Sequence, residues 1–322
     1  MKILLVGLGG MGSCHYANAQ QIPIAEVTAA VGQSDKDRSV AAEWGIPIYA
    51  TITEACTSET VELVDICAPT FLHKELVLEA IANGKHVIVE KPVALHYDDV
   101  VQMYEAAHKA GVQLYVAQVV QFKRETEALR QVLADGRYGR PLDGYFQRLT
   151  ACPKWTHGRW LFDRDKSGLI PYDLHIHDLD LIISLFGKPD RVAYTSCRCE
   201  GKDYDEHYRF SYGYSSGLNV VAEAGWLNAA IPFMAHWRVY FERGMLICDE
   251  NGVTGYDADG EKTVFDVSET VRVASGINLP ASGEFLRELT HLIECAQRGE
   301  PSPMVPKQRI LDVMEILEQI RY

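Results

Sequence analysis

The chain has 322 residues, 47% of them hydrophobic and 23% charged, and a formal net charge of −13. This is length enough for two ordinary domains and the balance of a globular protein. The acidic surplus argues against general affinity for nucleic-acid backbones or anionic membranes, and no stretch nears the roughly 20 apolar residues that a bilayer span needs. Eight cysteines form no CxxC pair, so neither a zinc ribbon nor a disulfide framework is indicated; the closest pair is the "CRC" of 197–199, expected in a strand.

The opening "MKILLVGLGG" reads as a buried strand running into glycines rather than as a signal peptide, which makes the cytoplasm the expected location. Short apolar runs follow at 3–6, 27–31, 46–49, 63–67, 86–90 and 112–118, separated by helical patterns. Gly84 and Gly111 close two of those patterns as C-terminal caps. Strands that are apolar throughout and alternate with helices predict an α/β fold with a doubly wound parallel sheet. The pattern changes near Gln118. A helix is predicted over 122–134, then strand-like, aromatic-rich stretches from 189 to 267 whose close spacing predicts an open, mainly antiparallel sheet. Amphipathic helices near 283–298 and 306–320 end the chain. The expected division is 1–121 for a dinucleotide-binding Rossmann domain and 122–322 for an α+β substrate-binding and oligomerisation domain, its last helices able to pack back toward the first.

Three motifs carry chemistry. The first is Gly7-Leu8-Gly9-Gly10-Met11-Gly12, a GxGxxG between a first strand and a first helix. Gly7 suits the tight turn, Gly9 lets backbone approach a pyrophosphate, and Gly12 lets helix and strand pack closely, with the phosphates at the helix N-terminus. At the end of the second strand, where NAD-preferring folds place an acid, stand Gln33 and Ser34, with Lys36 and Arg38 just beyond. NAD or NADP is the expected cofactor, and this pattern tilts slightly toward NADP.

The second motif is "VEKPVA" at 89–94, where Glu90-Lys91-Pro92 ends the fifth strand and so faces the edge at which open parallel sheets bind ligands. The third, "YDLHIHDLDL" at 172–181, is a metal site, a proton-transfer site or a polar helix face. Leu174, Leu181, Ile182 and Leu185 recur at helical spacing, and Pro171 and Gly187 suit a helix start and stop. On that helix Asp173 and His177 share a face, while His175 lies roughly 200° around from His177, so no two-histidine metal pair is expected. Upstream, "CPKWTHGRWLFDRDKSG" reads as a loop in which Trp155, Arg159 and Trp160 could wall a polyol pocket, and His236-Trp237 sits in a strand.

"GLGGMGSCH", "APTFLH" at 68–73, "VEKPVA", "GRYGRP" at 136–141 and "DLHIHDLD" at 173–180, in this order and spacing, resemble the glucose–fructose oxidoreductase, inositol dehydrogenase and MocA family over nearly the whole chain. The resemblance implies an NAD(P)-dependent dehydrogenase acting on the CH–OH groups of sugars or cyclitols, with Lys91, Asp173 and His177 catalytic and also touching substrate beside Trp155, Arg159 and Trp160. It implies that Ala68, Pro69, Thr70, His73, Glu90, Lys91 and Gln118 line the cofactor together with the glycine loop, Gln33, Ser34 and Arg38. It also implies a cis Lys91–Pro92 peptide and a homodimer or homotetramer formed through the C-terminal sheet. No metal is expected. Two departures stand out: the missing acid at Gln33–Ser34 and the extra His175. The alternatives are a non-catalytic dinucleotide-binding regulator and a metal-dependent hydrolase using His175, His177 and Asp178.

Overall fold

A computed structural model describes residues 1–154, 157–274 and 280–321. Two compact units are present: Met1–Phe122 with Glu269–Leu311, and Lys123–Ser268 with Asp312–Tyr322.

In the first unit β1 (Lys2–Val6), α1 (Gly10–Ala19), β2 (Glu26–Val31), α2 (Asp35–Trp44), β3 (Ile48–Tyr49), α3 (Ile52–Ser58), β4 (Leu63–Ile66), α4 (His73–Ala82), β5 (His86–Glu90), α5 (Tyr97–Ala110) and β6 (Leu114–Ala117) alternate. The strands form one six-stranded sheet in the order β3-β2-β1-β4-β5-β6, and every pairing is parallel. The unbroken apolar runs are the strands with helices on both faces, so they have no solvent side to make polar. Asp65 breaks the rule: it is a carboxylate in the central strand β4, flanked by Val64 and Ile66 and itself buried.

The second unit holds α6 (Arg124–Asp135), β7 (Pro141–Ala151), α7 (Arg164–Ser167), α8 (Ile176–Phe186), β8 (Arg191–Cys197), β9 (His207–Gly213), β10 (Asn219–Leu227), β11 (Met234–Phe241), β12 (Gly244–Asp249), β13 (Gly252–Asp257) and β14 (Lys262–Phe265). Its eight-stranded sheet runs β14-β13-β12-β11-β7-β10-β9-β8. The hairpin spacing holds for most pairs, but β7 and β10 pair in parallel because β7 enters the sheet's middle long before its neighbours. Alternation selects the buried face: Tyr208, Phe210 and Tyr212 of β9 are buried, and Arg209 and Ser211 between them are exposed. Cys197 ends β8, which leaves Cys199 outside the strand expected for "CRC".

Two helices close the chain, α9 (Glu284–Arg298) and α10 (Lys307–Arg321). The apolar stripe of α9, Leu289, Leu292, Ile293 and Ala296, packs with Ile3, Leu5, Leu63 and Ile88 in the core of the first unit.

Candidate functional site

The glycine turn shows what each glycine is for. Gly7 has φ +88°, and a Cβ there would meet the Cys67 carbonyl oxygen at 2.9 Å. A Cβ on Gly12 would lie 1.9 Å from the Gly7 carbonyl oxygen. Gly9, by contrast, faces open space with nothing within 4 Å of its would-be Cβ. Gly9 is also the N-cap of α1 and supplies no side-chain oxygen, so the amides of Gly10, Met11 and Gly12 begin the helix uncapped. An open backbone face, bare amides and a helix N-terminus suit a dinucleotide pyrophosphate.

At the end of β2 the sequence reading missed a carboxylate. Asp37 Oδ2 accepts the backbone N–H of Gln33 (3.2 Å) and of Ser34 (3.0 Å) and the Ser34 hydroxyl (2.7 Å). Ser34 Oγ in turn accepts the Asp37 amide at 3.1 Å, closing a capping box on α2. The signal was a Ser followed three residues later by an acid. Arg38 is engaged too, donating to Asp35 at 2.5 Å and to the Gln33 carbonyl at 3.1 Å.

Along the carboxyl edge of the same sheet, Thr70 starts a short 3-10 turn and is buried, as are His73 at the start of α4 and Gln118 just after β6. His73 stands between two backbone carbonyls, Pro92 O 2.9 Å from Nδ1 and Ala68 O 2.8 Å from Nε2, and its neutral form donates to one of them at a time. Burial pulls its pKa down, and the two carbonyls oppose the shift. One ring thus joins the loops after β4 and β5. The Lys91–Pro92 peptide is cis, as the resemblance implies.

Behind Lys91 lies a cluster that sequence reasoning missed. His15 Nδ1 sits 2.9 Å and 3.0 Å from the two oxygens of Asp65, and its Nε2 sits 3.2 Å from Glu90 Oε1. The other oxygen of Glu90 accepts the Lys91 backbone N–H at 2.9 Å. The side chain of His15 is fully buried. Burial alone would lower its pKa, but the Asp65 carboxylate overrides this and raises it well above the usual value. Burial would raise Glu90, yet the bond and the charge of His15 bring it below its ordinary range. Glu288 of α9, also buried, goes the other way, pushed well up first by burial and then by the Glu90 charge. The sequence signals were an acid in an apolar central strand (Asp65) and an acid inside the apolar stripe of α9 (Glu288). His15, Asp65 and Cys67 also lie close enough together to have the spacing of a metal-binding triad. Both ring nitrogens of His15, however, already sit at hydrogen-bond distance from carboxylates, Asp65 and Glu90, so the ring is engaged as a donor rather than offering a lone pair.

In the second unit the histidine-rich stretch is helical, with a correction at its start. Residues Pro171–His175 form a π-helical turn and only Ile176–Phe186 is α-helix. The uniform 100° step per residue therefore fails between Asp173 and His177, which stand on the wide turn and on the first turn of α8. His175 is a core residue. Its ring stacks on Phe210 at 3.7 Å between centroids, and Nε2 lies 2.6 Å from the Tyr212 hydroxyl. Burial, reinforced by Arg148, lowers its pKa to about 3, so it is neutral. Asp178 receives a bidentate bond from Arg148, with Nε at 3.0 Å and Nη2 at 2.8 Å, both side chains buried. The hydrolase alternative asks His175 and Asp178 to bind a metal beside His177, and both are committed elsewhere.

The stretch expected as a loop before this helix carries a 3-10 segment at His157–Phe162 and then α7. Arg159, at φ 54°, is exposed and lies over the Phe162 ring, and Trp160 is half-buried. Arg159 lines a 340 Å³ cleft together with Phe162, Arg164 and Tyr204 among others, and Trp160 is not part of that lining. Trp155 lies outside the described residues. His236 and Trp237 stand on β11 as expected.

Together, the parallel sheet, the glycine turn and the open helix N-terminus define a Rossmann-type dinucleotide-binding unit. The match to known proteins is specific. Residues 1–118 match the model of an oxidoreductase family with an NAD-binding Rossmann fold, and residues 126–247 match the C-terminal domain of the glucose–fructose oxidoreductase, inositol dehydrogenase and MocA group. The chain belongs to that family. Among curated relatives, 2,7-anhydro-N-acetylneuraminate hydratase of Escherichia coli is 30% identical over 59% of this chain and 50% of its own length. Myo-inositol 2-dehydrogenase of Thermotoga maritima is 30% identical over 58% and 55%. The chain spans about half the length of the curated relatives it matches. In fold it resembles levoglucosan dehydrogenase in complex with NADH and levoglucosan, with a TM-score of 0.84 at 17% identity over 99% of this chain and 96% of that one. No helix among the described residues is long and apolar enough to cross a membrane.

Proposed function

We propose that this chain is an NAD(P)-dependent oxidoreductase that moves a hydride between a nicotinamide cofactor and a secondary alcohol or ketone of a sugar, cyclitol or derivative. The observation that carries the reading is the carboxyl edge of the first sheet, where the open glycine turn after β1 and Lys91 after β5 stand on one ligand-binding edge. The names of the relatives support the substrate class, since they include dehydrogenases and a reductase of cyclic polyols and anhydrosugars.

In this reading the glycine turn holds the pyrophosphate, Gln33, Ser34 and Arg38 face the adenosine ribose, and Ala68, Pro69, Thr70, His73, Glu90, Lys91 and Gln118 line the nicotinamide side. When bound, the nicotinamide supplies the hydride acceptor or donor. The residues of the chain handle the proton. Lys91 donates a hydrogen bond to the substrate oxygen and stabilises the developing alkoxide. His177 takes the hydroxyl proton, or returns it in reduction, and Asp173 orients that imidazole and stabilises its charged form. Arg159 and Trp160 contact the remaining hydroxyls and apolar faces of the substrate.

Cofactor choice follows from the end of β2. The carboxylate of Asp37, folded onto the Gln33–Ser34 amides, repels a 2′-phosphate, and Arg38 is already paired with Asp35. NAD is accordingly the tighter ligand, in place of the NADP lean of the bare sequence. Self-association as a homodimer or homotetramer through the second sheet completes the proposal, supported by exposed Tyr240 and Tyr256 on that sheet. Sedimentation velocity tests it, and a monomer at micromolar concentration contradicts it.

The test of the activity is a panel of myo-inositol, levoglucosan and 1,5-anhydro-D-fructose with each nicotinamide cofactor, followed by cofactor absorbance. Product chromatography runs alongside, because one relative is named a hydratase and a reaction that regenerates its cofactor leaves absorbance unchanged. Turnover of a polyol or its ketone supports the reading. Tight cofactor binding with no conversion across a wider polyol panel favours the regulator, and no cofactor binding removes the reading altogether.

A further inference from the structure

His15 and Asp65 belong to no step above, yet through Glu90 they touch the two parts that a dinucleotide must bridge. His15 lies on α1, the helix whose N-terminus follows the glycine turn. Its ring reaches Asp65 on β4 and Glu90 at the end of β5. Glu90 then holds the Lys91 amide, immediately before the cis peptide. Both ring nitrogens face carboxylates, which only accept when ionised, so the ring donates from both sides as an imidazolium. One fully buried side chain therefore fixes the phosphate helix against two strand ends through charge-assisted bonds.

We propose that His15 is a positioning residue that sets the spacing between the phosphate-binding glycine turn and the nicotinamide-side Lys91 backbone, so that a whole dinucleotide is gripped at both ends at once. The proposal rests on the dinucleotide reading of the first unit. Its geometry explains why two buried carboxylates are kept in a region that apolar residues would otherwise fill. The groups that face the ring are Asp65 from β4, Cys67 just after it, Glu90 from β5, Cys14 from its own helix and Glu288 from α9. Burial and the Glu90 charge push Glu288 toward its neutral form there, and the carboxyls of Asp65 and Glu90 are the acceptors within 3.2 Å of the ring, with Lys91 as the nearest further cation in sequence.

The test compares a full dinucleotide with its fragment in isothermal titration calorimetry. The ligands are NADH or NADPH, whichever the wild-type protein binds more tightly, and the matching ADP-ribose or 2′-phospho-ADP-ribose, which keeps the phosphates and lacks the nicotinamide. His15→Gln is expected to weaken the dinucleotide about tenfold while the fragment changes less than twofold. Asp65→Asn, which removes the other carboxylate partner of His15 and lies outside the proposed cofactor lining, is expected to show the same selectivity at smaller size. It also keeps the test alive if His15→Gln folds poorly. Equal losses for dinucleotide and fragment, or no loss in either, overturn the proposal by reducing His15 to a structural role or to none. If wild-type protein binds none of the four ligands, it is the dinucleotide reading that fails.

Discussion

His15 and His175 are both fully buried imidazoles, one in each unit, and their environments drive them to opposite charge states. His15 sits between two carboxylates and stays protonated. His175 lies flat on Phe210, near the Arg148 guanidinium, and is neutral, with a pKa of about 3. Burial pushes both toward the neutral form, so the difference comes from the neighbours: a carboxylate in contact outweighs the loss of solvent, and an aromatic face beside a cation does not. A histidine in a motif therefore says little until its contacts are known. The extra histidine of "DLHIHD" is packing, and the inconspicuous histidine of "MGSCH" is electrostatic machinery.

The comparison can be broken from either side. The largest effect is expected at Arg148, whose loss leaves the buried carboxyl of Asp178 without its bidentate partner. Arg148→Met should cost about 3–5 kcal/mol in urea unfolding, the range for orphaning one partner of a buried pair. A loss below about 1 kcal/mol would mean that solvent reaches Asp178. Second comes His15→Gln, which keeps one donor and loses the charge, and should cost about 2–3 kcal/mol near pH 6, the scale of charge-assisted bonds. Because the folded pKa of His15 is raised, its contribution is fully present below about 6.5 and fades as pH climbs through the folded value, so the deficit of the variant should narrow in alkali. A deficit that is constant with pH would contradict the charged state.

Glu288→Gln should act in the opposite direction. Its folded pKa is also raised, so wild-type stability falls as pH rises above about 4.5, where the unfolded carboxyl ionises, at about 1.4 kcal/mol per pH unit until the folded group titrates. The amide variant should lack that fall and be the more stable protein at pH 8. His175→Phe has the smallest effect at neutral pH, about 1 kcal/mol for the lost Tyr212 bond. In acid the sign turns. The depressed pKa makes wild-type protein lose stability as pH falls from about 6.5 toward 3, a loss the variant escapes, so the two unfolding profiles should cross near about pH 6, with the variant the more stable protein below it.

Much of the first unit was legible in the sequence because strands covered on both faces advertise themselves as unbroken apolar runs, and because Gly7 and Gly12 occupy places where a Cβ collides with backbone. The second unit was legible only as a class. The parallel pairing of β7 with β10 joins strands some 70 residues apart in sequence, and local spacing carries no trace of it. The π-turn at Pro171–His175 likewise changes helical phase without a breaker residue at its end. Lys91, Asp173 and His177 were nameable from motifs. Asp65, Glu90 and Glu288 become meaningful only as a set, because the pairing that makes a buried charge tolerable comes from residues 50 and 75 positions away from His15. Asp37 was hidden for a simpler reason: its carboxylate acts three residues upstream, through a cap.

The central claim is that Lys91 and the Asp173–His177 pair handle the proton for hydride transfer on a bound dinucleotide. The most direct measurement pairs turnover with cofactor affinity in His177→Ala, using the panel substrate that wild-type protein converts. Turnover should fall by about 10²-fold or more, the usual worth of a positioned acid–base group, with the calorimetric dissociation constant for the dinucleotide unchanged within about twofold. Turnover within about threefold of wild type would contradict the account, whatever the affinity does.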